Sequence, residues 1–314
     1  MTTDSPRPLS SSTAPAGASP ASADWFQLDV FTDRAGGGNP LGVVLGASDW
    51  STAEMQRLAA WTDLVETTFV LPPSDDRADY RVRIFTPGRE IPFAGHPSLG
   101  TAHAVLESGL APADACQLTQ ECGAGLLRIS IEHDRGARRL FVEAPPAQVV
   151  EASEDSQRQL CALLGQLAPG ALAPALVSGG RRWWLAEVDG EAALRAWQPD
   201  HRAIAELALA TDSLGLCLFA RSQSPHYELA VRAFPCAIGI DEDPASGAAN
   251  SLLAHYLRHA QPDGPLAHGY RVSQGRELGR DALLELRVDD AGGIQVGGQV
   301  QTVIRGQIAW PRDS

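Results

Sequence analysis

A chain of 314 residues, 44 % hydrophobic and 20 % charged, has the composition of a soluble globular protein of one or two domains. Its net charge of −13 argues against nucleic acid or an anionic membrane as a partner. All 25 of its Lys/Arg side chains are arginine, which excludes the Schiff-base lysine of a pyridoxal-phosphate enzyme and the lysine of a Walker phosphate loop.

Residues 1–23 are rich in Ser, Thr, Ala and Pro without an apolar run, the pattern of a disordered tail rather than a signal peptide. No later stretch approaches the ~20 unbroken apolar residues of a membrane span. The scattered cysteines Cys116, Cys122, Cys161, Cys217 and Cys236 fit a reduced, cytoplasmic protein with no disulfide framework. Asp24 to Phe31 alternates as a strand, and the turn Gly36-Gly37-Gly38-Asn39-Pro40 leads to an apolar strand, Leu41 to Leu45. Ser51 starts a helix, with Glu54 completing a capping box and the apolar stripe continuing to Trp61. Glu66 opens a β-branched run to Leu71, and the strand Tyr80 to Phe85 precedes a helix over about 97–108. Leu126 to His133 and Leu140 to Glu143 read as a hairpin, and Ala144-Pro145-Pro146-Ala147 marks a domain boundary.

The second half repeats the theme. Helices are expected over 155–168, 199–210 and 244–259, with strands over 182–188, 214–220 and 227–234. Strands and glycines then alternate, with strands at 282–288, 294–296 and 299–308. Many strands with one long helix per half predict an α+β fold of two similar domains, each a curved sheet wrapped around a helix. The expected division is 24–146 and 147–302, with the last strand, about 303–312, returning to the first domain. Trp183-Trp184 belongs to the second core or its edge.

The chemistry sits in an internal duplication. Val82-Arg83-Ile84-Phe85, a loop and His96-Pro97-Ser98-Leu99-Gly100-Thr101-Ala102 match Val231-Arg232-Ala233-Phe234, a loop and Asp243-Pro244-Ala245-Ser246-Gly247-Ala248-Ala249. His96 falls on Asp243 and Gly100 on Gly247, which suggests two facing helix starts across one site. Alone, His96 is a capping side chain; the second copy makes it a candidate site group. Gly95 allows close backbone approach, and the free N–H groups of the first turn suit a carboxylate. Asp243 alone is an N-cap worth about 1 kcal/mol. Within Asp241-Glu242-Asp243, however, burial would raise at least one pKa, and such strain is kept at functional sites. Asp241 and Glu242 themselves read as solvated loop acids. Glu66 is by position a strand-end glutamate; partly desolvated, it could hold a proton near neutral pH. Asn39 is by periodicity a turn residue. His255 and His259 have i, i+4 spacing but no third ligand, and no metal is expected. Cys122 reads as a turn cysteine, because a strand pattern follows it.

Several motifs together resemble the phenazine-biosynthesis isomerase (PhzF-like) family: Val65-Glu66-Thr67-Thr68-Phe69-Val70, Ile91 to Ala102, Glu242-Asp243-Pro244-Ala245-Ser246-Gly247, Asp29 to Pro40, and Ser273-Gln274-Gly275-Arg276-Glu277-Leu278-Gly279-Arg280. The similarity runs in order through nearly all of 24–310. It implies the diaminopimelate-epimerase-like fold, with the site in the inter-domain cleft and a homodimer. It also implies cofactor-free isomerisation of a small, often amino-bearing carboxylic acid. By position Glu66 would move the proton, and His96 and Asp243 would orient the substrate. Asn39, Gly95, Ser246, Gly247 and Ala248 would bind it. Two positions depart from the family's pattern: Ala248 and Val65 each stand where a serine is usual. Two rival readings remain: a non-catalytic module of this fold that binds a small anion or a partner, and a cysteine two-base racemase. The racemase needs thiols at the two helix starts, where this chain has His96 and Asp243.

Overall fold

The computed structural model describes residues 21–310 except 135, 166 and 290. In chain order the first half contains β1 (Ala21–Val30), β2 (Asn39–Leu45), α1 (Thr52–Thr62), β3 (Glu66–Leu71), β4 (Tyr80–Phe85), β5 (Glu90–Ile91), α2 (Gly95–Glu107), β6 (Gln117–Cys122), β7 (Gly125–Asp134) and β8 (Ala137–Glu143). The second half contains β9 (Gln148–Val150), α3 (Glu154–Leu164), β10 (Ala175–Gly179), β11 (Arg181–Glu187), α4 (Glu191–Ala196), α5 (His201–Ala210), β12 (Leu216–Arg221), β13 (Leu229–Phe234), α6 (Gly247–Ala260), β14 (Gly269–Gln274), β15 (Ala282–Val288) and β16 (Ile294–Trp310).

β1, β2, β3, β4, β6, β7, β8 and β16 pair in that order, and β16 closes the ring onto β1. α2 fills this barrel, with every residue from His96 to Leu106 buried. A helix enclosed on all sides has no polar face to spare, which is why its sequence is small and apolar almost all round. A Cβ on Gly100 would lie 2.4 Å from a Leu41 methyl, so that residue sets how closely α2 approaches β2. The other sheet runs from β16 through β15, β14, β13, β12, β11 and β10 to β9, and wraps α6. Its outer face is covered by Leu160, Leu194, Ile204 and Leu207 from α3, α4 and α5. Both faces of this sheet are therefore buried. Adjacent side chains of a strand point to opposite faces: Trp183 enters the inner core and Trp184 the outer one. The result is the α+β architecture of two pseudo-symmetric units, each a curved sheet around a helix.

The duplication extends to strand pairing. β2 and β3 are parallel, as are β11 and β12; β4 and β6 are parallel, as are β13 and β14. The parallel pairs β4/β6 and β13/β14 each bracket a helix that crosses between them.

Several boundaries differ from the sequence expectation. β1 begins at Ala21, inside the stretch expected as tail, because residues 21–23 pair with Ile308 to Trp310; the remaining tail residues lie outside the described region. The two final strands expected at 294–296 and 299–308 are one strand, β16. Its Gly297-Gly298 reads as a break but is a close crossing, for a Cβ on Gly297 would sit 2.2 Å from the Leu140 carbonyl oxygen. Residues 294–299 of β16 lie against β8 and β15, and residues 300–310 against β1. The second repeat helix starts at Gly247 rather than 244, since Ser246 Oγ accepts the Ala249 N–H and caps it there. α3 ends at Leu164, short of the expected 168. β5, β6, β9, β10 and α4 were not expected; β5 and β9, with two and three residues, are too short to show a period.

Candidate active site

Glu66 is the first residue of β3, paired in register with Leu41. Five of the six residues of β3 are buried, so its carboxyl is drawn into the interior at the strand's start. Its Oε2 lies 3.3 Å from His96 Nε2, with the two side chains only 12 % and 8 % exposed. Burial, reinforced by the negative charge of Asp243, pushes the Glu66 carboxyl from its ordinary value of 4.5 up to about 8. Burial pushes His96 the other way, from 6.5 down to about 3, although the Pro40 carbonyl accepts a hydrogen bond from it. Two desolvated groups without a compensating charge favour their neutral forms. The neutral pair, a carboxylic acid facing an imidazole, therefore prevails at neutral pH over an ion pair. Neither Glu66 Oε2 nor His96 Nε2 has an aligned hydrogen-bond partner among the described residues, so the bonding capacity of both buried atoms is left unused.

His96 is the second residue of α2, whose N-cap Ala94 offers no side-chain bond. A Cβ on Gly95 would meet nothing within 4 Å, so that backbone faces open space. Pro97 has no N–H, and the Ser98 N–H is taken by the Ala94 carbonyl. The first-turn donors left are those of Gly95 and His96.

Asp243 approaches from the other half. Its N–H bonds to the Ala233 carbonyl at 2.8 Å, and its Oδ1 accepts from the Ala245 N–H at 3.1 Å. That turn places the carboxylate ahead of α6 rather than on it. Burial raises its pKa, while the bonds from Ala245, Ser246 and Asn39 act against the rise. Asn39 is fully buried, and its Nδ2 donates to Asp243 Oδ1 at 3.0 Å and to the Ala245 carbonyl at 2.9 Å. The amide thus ties β2 to the loop before α6, while its Oδ1 is unpartnered among the described residues. With Ser246 capping Ala249, the free first-turn donors of α6 are Gly247 and Ala248. Ala248 itself is exposed.

The structure thus gathers Glu66, His96, Asn39 and Asp243 at one place, beside the two helix starts that carry Gly95, Ser246, Gly247 and Ala248. Three features escaped the sequence reading. Glu242 is no solvated loop acid: with Arg232 it forms a buried bidentate pair, Arg232 Nη2 to Glu242 Oε2 2.9 Å, both side chains 5 % exposed. Gln274 and Asn250 clasp the Asp243–Ser246 segment. Cys217 is fully buried near Asp243, and burial with that negative charge raises its thiol pKa. It is therefore no thiolate nucleophile. Cys122 closes β6 at the turn into β7, its thiol also raised by burial. His255 lies 3.3 Å from the Pro145 carbonyl, and no cluster of three or more metal-binding side chains occurs among the described residues. No helix among them is long and apolar enough to cross a membrane.

A duplicated α+β unit with a desolvated acid/imidazole pair beside two helix starts defines the class by architecture: two wrapped-helix units that share one buried polar site. The particular family follows from comparison. A family model described as phenazine biosynthesis-like protein (PhzC-PhzF) matches residues 28–308, and the chain belongs to that family. It is 36 % identical over 269 residues, 84 % of this chain and 90 % of the relative, to trans-2,3-dihydro-3-hydroxyanthranilate isomerase of Pseudomonas aeruginosa. It is 32 % identical over 293 residues, 90 % of this chain and 97 % of the relative, to antisense-enhancing sequence 1 of Schizosaccharomyces pombe. A crystal structure of a PhzF-family phenazine biosynthesis protein from Bacillus anthracis superposes with a TM-score of 0.80 at 25 % identity, covering 92 % of this chain and 99 % of that one.

Proposed function

We propose that this isomerase moves a proton between carbons of a small, amino-bearing or cyclic carboxylic acid. Glu66 is the acid/base, and His96 and Asp243 hold the substrate in place. The observation that carries the reading is the Glu66 carboxyl, pushed up to about 8 within 3.3 Å of a neutral imidazole. A carboxyl poised there exists in both forms near neutrality and can give or take a proton. The N–H groups of Gly95, His96, Gly247 and Ala248, at the positive ends of two helices, would receive the substrate carboxylate. The unpartnered Asn39 Oδ1 would accept from an amino or hydroxyl group on the same molecule.

The test is proton NMR in D₂O of trans-2,3-dihydro-3-hydroxyanthranilate and a panel of amino and hydroxy acids, with wild type and Glu66→Gln. Wild type should introduce deuterium into one compound. Glu66→Gln should lower turnover by roughly 10²–10⁴ with little change in binding, as for loss of a general acid/base. An unchanged rate in the variant removes Glu66 from the role. Tight binding of a carboxylate by wild type without any exchange replaces catalysis by binding.

A further inference from the structure

Gln274, the last residue of β14, is 1 % exposed and spends its whole side-chain amide on one short segment. Its Nε2 donates to the Asp243 carbonyl at 2.8 Å. Its Oε1 accepts from the Ser246 N–H at 3.2 Å and from Asn250 Nδ2 at 2.9 Å. Asn250 Nδ2 donates as well to the Ser246 carbonyl at 2.8 Å. One side chain therefore grips residues 243 and 246 at once, from below the start of α6. A primary amide presents a donor and an acceptor side by side in one plane whatever the pH. The next residue tightens the fit: Gly275 has φ +90°, and a Cβ there would lie 2.4 Å from the Pro244 carbonyl oxygen.

The first half has a counterpart. β6 runs parallel to β4 as β14 runs parallel to β13. Gln120 of β6, fully buried, donates through Nε2 to Ser98 Oγ at 2.9 Å, and Ser98 Oγ donates to the Ala94 carbonyl at 2.9 Å. Tyr80 in turn donates to Gln120 Oε1 at 3.1 Å. In each half, a buried glutamine on the strand beside the repeat strand bonds at the start of the helix, in different registers: Gln274 pairs with Val231, and Gln120 with Tyr80, two places earlier in the repeat.

We propose that Gln274 is a positioning residue that fixes Asp243 and the leading N–H groups of α6 in register with Glu66. The inference rests on the function proposed above, but its geometry does not. Glu66 is faced by His96 and Asp243, and Asp243 by Asn39, Glu242 and Cys217. Letting the 243–246 segment loosen should therefore register at Glu66 through its charge coupling to Asp243, whether or not a substrate is in hand.

The experiment uses the full chain carrying Gln274→Met or Gln274→Glu, with wild type and Glu66→Gln as controls and circular dichroism to verify folding. Exchange kinetics are measured on the compound that wild type deuterates. The Glu66 midpoint is followed by ¹³C NMR of carboxyl-labelled glutamate in the free protein. Gln274→Met should lower kcat about 10- to 100-fold with KM within about threefold, the cost of roughly 1 Å of misplacement. The Glu66 midpoint should fall by about 0.5 pH or more as Asp243 moves off. Gln274→Glu keeps the shape and regains its donor only when protonated, so its kcat relative to wild type at the same pH should recover on acidification, which general loosening would not produce. A kcat within about twofold of wild type for Gln274→Met, or an unmoved Glu66 midpoint, overturns the proposal. If wild type exchanges no compound, the function reading fails, and the titration alone decides the role of Gln274. If Gln274→Met does not fold, the isosteric Gln274→Glu decides: a kcat ratio to wild type that does not change with pH, or an unmoved midpoint, overturns the role.

Discussion

Glu66→Gln should make the protein more stable, and increasingly so as pH rises. In the folded state Glu66 holds its proton up to about pH 8, against an ordinary value of 4.5. Between those values the unfolded chain releases a proton that the folded protein keeps, so the stability present below pH 4.5 is lost as pH rises toward 8. Each tenfold difference in proton affinity between the folded and unfolded chain is worth about 1.4 kcal/mol. At pH 7, where the folded carboxyl is still mostly protonated, the loss is about 3 kcal/mol; at pH 5 it is under about 1. Glutamine keeps the shape and cannot ionise, so it escapes this loss. His96 acts with the opposite sign. Its folded value, about 3, lies below 6.5, so the stability present above pH 6.5 is lost as pH falls toward 3. Wild type should therefore show a plateau between about pH 4.5 and 6.5, with a fall on either side. Urea unfolding of both proteins at pH 5 and pH 8, at constant ionic strength, measures the difference. The stability gap should widen by about 3 kcal/mol over that range. A gap that stays flat, or a variant less stable than wild type at pH 8, would show that Glu66 is not held protonated by burial.

Two further predictions concern the frame around the site. Arg232→Met should cost about 3–5 kcal/mol, because it strands the buried Glu242 carboxylate, while Arg232→Met with Glu242→Met should recover much of that; equal losses in the single and double variants would mean the pair is not coupled. Gly297→Ala should destabilise by about 1–3 kcal/mol or more, since its Cβ meets a backbone carbonyl that cannot give way. Gly306→Ala on the same strand, with nothing within 4 Å, should stay within about 0.5 kcal/mol. Thermal and urea unfolding compare the two, and similar values would contradict the close crossing of β16 over β8.

What the sequence made legible was local or duplicated. The Ser51/Glu54 capping box forms as its spacing predicts, because both of its bonds lie within one turn. The repeat pointed to His96 and Asp243 as facing groups, and the wrapped-helix architecture followed from one long helix per half. The links that assemble the site were not legible, for they join residues distant in the chain. Asn39 looks like a turn residue because its partner, Asp243, is 204 positions away. Arg232 and Glu242 look like a strand arginine and a loop acid until the turn at Pro235 folds one onto the other. Gln274 stands in a motif that similarity flags, but only its three bonds to the 243–250 region show what an amide does there. The start of α6 was placed too early because Pro244 resembles a first-turn proline. In the fold the Asp243 carboxylate claims the Ala245 N–H for a turn of its own, and the helix waits for Ser246.

The duplication is symmetric in backbone and asymmetric in chemistry, and strand register shows where the symmetry breaks. Phe85 and Phe234 occupy equivalent places in the repeat; Phe85 pairs with Thr67, and Phe234 with Leu216. The residue before Thr67 is Glu66, so its counterpart in the second half is Gly215. A Cβ at Gly215 would lie 1.8 Å from the Phe234 carbonyl oxygen, so no side chain can stand there. The second half therefore has no group equivalent to Glu66, and the copy of His96 is Asp243, set ahead of its helix and anchored by Asn39 from the first half. A racemase that takes a proton on one face and returns one on the other needs a matched base from each half. This site sets a carboxyl and an imidazole from the first half, Glu66 and His96, against Asp243 from the second, whose backbone setting differs from both. Under the proposed function, Glu66 both takes and returns the proton, which favours shifting a proton along one face of a substrate over inverting a stereocentre.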